Sequence, residues 1–97
     1  MLYLELKGSK RIYTKDNHLL TLHYYLVQEF YDPIPIYGIQ IQSYWDDNFQ
    51  SIHAETIPNV SYSSDFVLEL IQLCIKHLVT PTDLFSSFDV LMDTLLE

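Results

Sequence analysis

Glycine and cysteine are nearly missing from this chain, which has two glycines, Gly8 and Gly38, and one cysteine, Cys74. Two isolated glycines do not make a glycine-rich phosphate loop. One cysteine excludes an internal disulfide and a cysteine-based zinc site, and it suits a reducing compartment. No apolar run approaches the roughly 20 residues of a membrane-spanning helix. Glu5 and Lys7 interrupt the first segment, so it lacks the apolar stretch of a signal peptide. The expectation is a soluble, cytoplasmic protein. Basic residues are scarce too, and four of the five (Lys7, Lys10, Arg11 and Lys15) lie at the start. From Asp16 onward twelve carboxylates stand against one lysine, Lys76, a formal charge of −11. Such a field repels nucleic acid and anionic membranes and attracts basic partners. It also keeps a protein soluble without any partner.

What is plentiful is apolar and aromatic side chain, 48% and 14% of the 97 residues, enough for one folded domain with a core. The chain organises around Ile34 to Trp45. Tyr37, Ile39, Ile41 and Trp45 fall on one side, and Gly38, Gln40, Gln42 and Tyr44 on the other. That period of two marks a strand with one buried and one wetter face. Asp32-Pro33-Ile34-Pro35 punctuates its start, because proline fixes φ and restricts the residue before it.

Upstream, Leu2, Leu4 and Leu6 alternate with polar residues, and Gly8-Ser9 is read as a turn into a short basic edge strand over Lys10 to Thr14. The four basic residues of this 1–15 hairpin suggest an anion site, but lysine on an edge strand more often discourages edge-to-edge pairing. Asp16-Asn17 signals a turn. His18 to Tyr31 is then a long strand, with Leu20, Leu22, Tyr24, Leu26 and Phe30 on one face. Asp46-Asp47-Asn48 turns the chain into a strand from Phe49 to Ile57. Consecutive strands joined by short turns make an antiparallel meander.

After Pro58-Asn59 the period becomes helical. Ser63 is an N-cap, Tyr62 and Val67 are spaced for a hydrophobic staple, and a helix is predicted over 64–78. Its polar side is narrow (Asp65, Glu69, Gln72, Lys76), so its apolar surface must meet the sheet and something else. Thr80-Pro81-Thr82-Asp83 reads as a capping box with proline at the first helical position. The stripe Leu84, Phe85, Phe88, Leu91, Met92, Leu95 and Leu96 predicts a last helix from Asp83 onward. The predicted fold is α+β: an antiparallel meander of three to five strands followed by two C-terminal helices packed on one face.

Tyr24-Tyr25-Leu26-Val27, Tyr37-Gly38-Ile39-Gln40-Ile41, the helix holding Leu70, Ile71 and Cys74, and Val79-Thr80-Pro81-Thr82-Asp83-Leu84 together resemble a family of small uncharacterised bacterial proteins, known by a domain-of-unknown-function label. The resemblance covers roughly Thr21 to Leu96. It supports the order of strands and helices, and it transfers no activity, cofactor or catalytic residue.

The chemistry-bearing residues do not assemble into a recognisable centre. His18 and His23 face opposite sides of a strand. His23, His53 and His77 lack the tight spacing of zinc ligands, so no metal is expected. Cys74 lies among apolar neighbours and is read as core. Adjacent acids such as Asp46-Asp47 in a turn are usually solvated. No cofactor and no enzymatic role are expected.

Recognition residues are better candidates. Gly38 in a strand interior marks a bulge or a close approach by another backbone, and Gln40, Gln42 and Tyr44 decorate the outer side of the central strand. Asp89, Asp93 and Glu97 recur every fourth residue, about 6 Å apart along the last helix. That row is sparser than the charge of duplex DNA, one per about 1.7 Å, so a DNA mimic needs Asp46, Asp47, Glu55 or Glu69 as a second row. The functional expectation is a non-catalytic acidic module that binds a basic, nucleic-acid-binding protein, in its most concrete form an anti-CRISPR-like inhibitor of phage type. The alternative is a small adaptor or regulatory homodimer. The expected partner-binding residues are Asp46, Asp47, Glu69, Asp89, Asp93, Glu97, Gln40, Gln42 and Tyr44. Replacing Ile39 or Ile41 by Asp is expected to abolish the cooperative unfolding transition seen by circular dichroism, whereas Gln40→Ala should retain it. The opposite result would reverse the assignment of faces.

Overall fold

The structure, a computed structural model, describes residues 2–31, 33–45 and 48–96. Four strands, β1 (Leu2–Tyr13), β2 (Leu19–Tyr31), β3 (Ile34–Trp45) and β4 (Asn48–Ser61), precede two helices, α1 (Ser64–Lys76) and α2 (Leu84–Leu96). The strands pair in chain order as one antiparallel sheet. This is the α+β meander with two C-terminal helices that the alternation and the capping signals predict.

β1 corrects one expectation. Gly8-Ser9 does not turn the chain; Gly8 pairs with Tyr24 and Ser9 with His23, so Leu2–Tyr13 is one edge strand instead of a hairpin. No described glycine adopts positive φ. Gly8 serves packing: a Cβ there would lie 2.7 Å from Ile75 Cδ1 of α1. The strand also carries a bulge between Leu6 and Gly8. A bulge adds one residue and reverses which side the following residues face. Leu2, Leu4 and Leu6, opposite Glu29, Val27 and Tyr25, therefore share the sheet side away from the core, while Ile12, opposite Leu20, packs against it.

The β1–β2 link turns where Asp16-Asn17 predicts. Asn17 takes left-handed φ (63°), and Thr14 N–H donates to the His18 carbonyl at 2.9 Å. β4 runs past the predicted end at Ile57 to Ser61, through an irregularity where Asn59 is left-handed (φ 58°). Gly38 sits against it: a Cβ on Gly38 would collide with the Ile57 carbonyl oxygen, so β4 can approach β3 this closely only at a glycine.

α1 starts at Ser63, whose hydroxyl accepts from Phe66 N–H at 3.2 Å. Tyr62 stays 68% exposed, so the expected staple over Val67 contributes little. α1 lies across the sheet and buries Val67, Leu70, Ile71 and Cys74 against Leu22, Tyr24, Leu26, Ile39 and Ile41. Fully burying each aliphatic side chain contributes roughly 1.5–3 kcal/mol. α2 in turn packs against α1.

The end of α1 is a Schellman motif: Val79 N–H donates to the Cys74 carbonyl (2.9 Å) and Leu78 N–H to that of Ile75 (3.2 Å). Leu78 occupies its left-handed position (φ 52°) where glycine is usual. Thr80 Oγ1 accepts from Asp83 N–H (3.3 Å), as the capping box predicts. The first turn is tight, with Leu84 N–H on the Pro81 carbonyl, and the regular helix begins at Leu84.

One polar bond crosses the core. Tyr24 Oη, fully buried on β2, donates to the Val79 carbonyl at 3.0 Å and ties the sheet to the segment between the helices. Burial raises the pKa of this phenol, and neighbouring Cys74 adds to the rise. Tyr24→Phe strands the Val79 carbonyl and should lower stability by about 1–3 kcal/mol, measured by urea denaturation. Burial also pushes the Cys74 thiol up from 9.0 to about 12. In the unfolded chain the thiol ionises near pH 9, while the folded state holds its proton. The Cys74 contribution to stability is thus fully present below pH 9 and declines as pH rises toward 12, by at most roughly 1.4 kcal/mol per pH unit. Cys74→Ala should flatten that alkaline decline in urea midpoints between about pH 8 and pH 10.5, whatever it costs at neutral pH.

Candidate interaction surfaces

Six of the nine expected partner-binding residues are described, and they divide between two surfaces. Glu69 projects from the exposed side of α1, and Asp89 and Asp93 from that of α2. Gln40, Gln42 and Tyr44 lie half-buried on the helix-free face of the sheet. Asp46, Asp47 and Glu97 lie outside the described residues. Glu55, a candidate for a second acidic row, has His53 Nε2 beside it at 3.6 Å.

The helix-free face follows from the register. Residues opposite one another across antiparallel strands share a side. Ser9–His23–Gln42–Ala54 and Leu6–Tyr25–Gln40–Thr56 form two rows across all four strands, followed by Leu4–Val27–Gly38. The polar side chains in the middle spend their hydrogen bonds on one another. Gln42 Nε2 donates to Gln40 Oε1 and Gln40 Nε2 to Thr56 Oγ1, both at 2.7 Å. The His23 ring stands between two tyrosines, with Tyr25 Oη 3.3 Å from Nδ1 and Tyr44 Oη 3.2 Å from Nε2. In a neutral imidazole one ring nitrogen donates and the other accepts, and the hydroxyls supply the complementary roles. Both tyrosine rings also meet the imidazole edge-on. Toward the other end the face turns apolar. Val27 and Ile36 are buried in it, while Leu2, Leu4 and Leu6 remain 49%, 44% and 51% exposed.

The outer side of α2 has a different character. Leu84 and Leu91 are buried, with Phe88, Met92 and Leu95 packed beside them. Phe85 and Leu96, placed by the sequence pattern in the same apolar stripe, are instead 58% and 70% exposed. Seven apolar positions are too wide for a helix whose main contact is α1. At about 100° per residue, Phe85, Leu96, Asp89 and Asp93 fall within about 80° of one another around the helix axis. An aromatic and an aliphatic side chain thus flank two carboxylates. Among the described residues neither Asp89 nor Asp93 has an ion-pair partner.

Beside this stripe an open groove of about 450 Å³ runs between α2 and the link from α1, lined by His77, Leu78, Asp83, Val90 and Thr94. Asp83 is held by the Thr80 hydroxyl at 3.0 Å.

The histidines are dispersed. His23 is on the helix-free face, His53 opposite Ser43 on the other, and His77 at the end of α1. Cys74 is closed within the core. Among the described residues no three His, Cys, Asp or Glu side chains are grouped so as to hold a metal ion. No helix among them is long and apolar enough to cross a membrane.

Comparison with known proteins gives one match: a model described as a family of unknown function, DUF6514, covers residues 3–96. That span includes β1, which the resemblance read from the residues had left out. No curated protein and no solved structure matches the chain.

Proposed function

We propose a role for a chain that belongs to the DUF6514 family, a family of unknown function: it is a non-catalytic binding module that presents the outer side of α2 to a basic protein. The observation that carries this reading is the grouping on α2 itself. Asp89 and Asp93 lack an ion-pair partner among the described residues, and exposed Phe85 and Leu96 stand next to them. Like charges four apart on a helix repel by a few tenths of a kcal/mol, a cost that a cationic partner reverses. Aromatic anchors bordered by charge are typical of the residues that dominate binding energy. The chain's net charge of −8 attracts a basic partner from a distance.

The finer form of the reading is an inhibitor of phage type, anti-CRISPR-like, acting on a nucleic-acid-binding enzyme. Such enzymes carry basic channels that an acidic, partly apolar epitope can occupy. The spacing of Asp89 and Asp93 favours docking through a few anchored contacts over imitation of a DNA backbone. A cytoplasmic setting fits a protein with one buried, unpaired thiol.

Capture from bacterial lysate on the immobilised protein tests this. The captured partner should be basic and be lost on raising salt from about 50 to about 500 mM, as screening requires. Asp89→Lys with Asp93→Lys should weaken binding by tenfold or more, and Phe85→Ala should weaken it at both salt concentrations. Capture that withstands the double reversal and high salt alike would overturn the reading.

A further inference from the structure

We infer that the helix-free face of the sheet is the seat of a second copy of this chain, packed face to face across a two-fold axis at right angles to the strands. This surface lies opposite α2, so the inference stands apart from the proposed partner. Three observations carry it. The first is the middle of the face: Gln42, Gln40 and Thr56 form one hydrogen-bonded chain, and His23 is bracketed by Tyr25 and Tyr44. Polar groups already bonded to one another enter an interface at far smaller desolvation cost than polar groups bonded to water.

The second is size. Strands of 12 to 14 residues, at about 3.4 Å per residue and about 4.8 Å apart, give a face of about 40 by 19 Å. That is close to the roughly 800 Å² each partner contributes to a stable interface. Exposed Leu2, Leu4 and Leu6 supply its apolar content.

The third is charge. Arg11, opposite Thr21, and Glu29, opposite Leu2, sit on this face toward its two ends, and neither has an ion-pair partner among the described residues. The row Leu6–Tyr25–Gln40 lies midway between them. A two-fold axis through that row brings Arg11 of each copy to the level of Glu29 on the other, one strand aside. Such a contact is isologous, so each pairing occurs twice. Packed sheets are turned by about 30°, which a long arginine side chain spans.

Light scattering and sedimentation of the whole protein test the inference. A dimer should form at or below about 100 µM. Leu4→Glu should shift it to monomer while circular dichroism stays unchanged. Arg11→Glu and Glu29→Arg should each weaken the dimer about tenfold or more, and the two together should restore it to within about threefold of the parent. Those reversals lie at the ends of the face, outside the core, and they keep the test open should Leu4→Glu misfold. A monomer at about 100 µM overturns the inference, and the face then serves another partner. A dimer indifferent to the reversals, as edge-to-edge pairing of β1 would be, or one not restored by the double exchange, also overturns it.

Discussion

Everything in this fold depends on a single helix lying across a sheet. α1 supplies Val67, Leu70, Ile71 and Cys74 to the core and touches all four strands, whereas α2 leans chiefly on α1. Two adjustments in the sheet admit the helix. Gly8 leaves room for the end of the Ile75 side chain, and Tyr24 extends its hydroxyl through the core to the Val79 carbonyl just past the helix end. Because one helical layer covers one face, the other face of the sheet is left without a cover of helix. The functional surfaces are consequences of that asymmetry.

The two surfaces differ in physical kind. The outer side of α2 is acidic and open, with apolar side chains standing free among carboxylates. Such a surface draws its partner by long-range attraction and holds it by a few anchors. The sheet face has its polar groups mutually bonded and offers area in place of field. Their opposition lets one chain use both at once. A dimer closed through the sheet would display two copies of α2 pointing outward, so a binding event on one side does not exclude the other.

Local signals were legible in the sequence where their cause is local. Alternation from Tyr37 to Gln42 placed Ile39 and Ile41 inward and Gln40 and Gln42 outward, and Ser63 and Thr80 announced both helix starts. Gly8 misled because its cause is tertiary: nothing near it in the chain reveals that Ile75, far downstream, needs the space. The bulge beside it hid which way Leu2, Leu4 and Leu6 face, and so hid the apolar end of the sheet. In the candidate surfaces, the spacing of Asp89 and Asp93 was readable. The exposure of Phe85 and Leu96 was not, since it depends on α2 having one main neighbour. His23 between Tyr25 and Tyr44 needs the register of β2 on β3, which the turn at Pro33 and Pro35 marks without fixing.

The element order bears on how the chain acquires its structure during synthesis. Each strand pairs with the one made just before it, so the meander needs only short loop closures and can form early. The helix that covers its core side is encoded after all four strands. A sheet that formed before α1 docked would leave Leu22, Tyr24, Leu26, Ile39 and Ile41 bare, the state in which sheets associate wrongly. During that interval the cluster of Lys7, Lys10 and Arg11 on the edge strand β1 has its greatest value, because like charges on an uncovered edge hold nascent copies apart until α1 arrives.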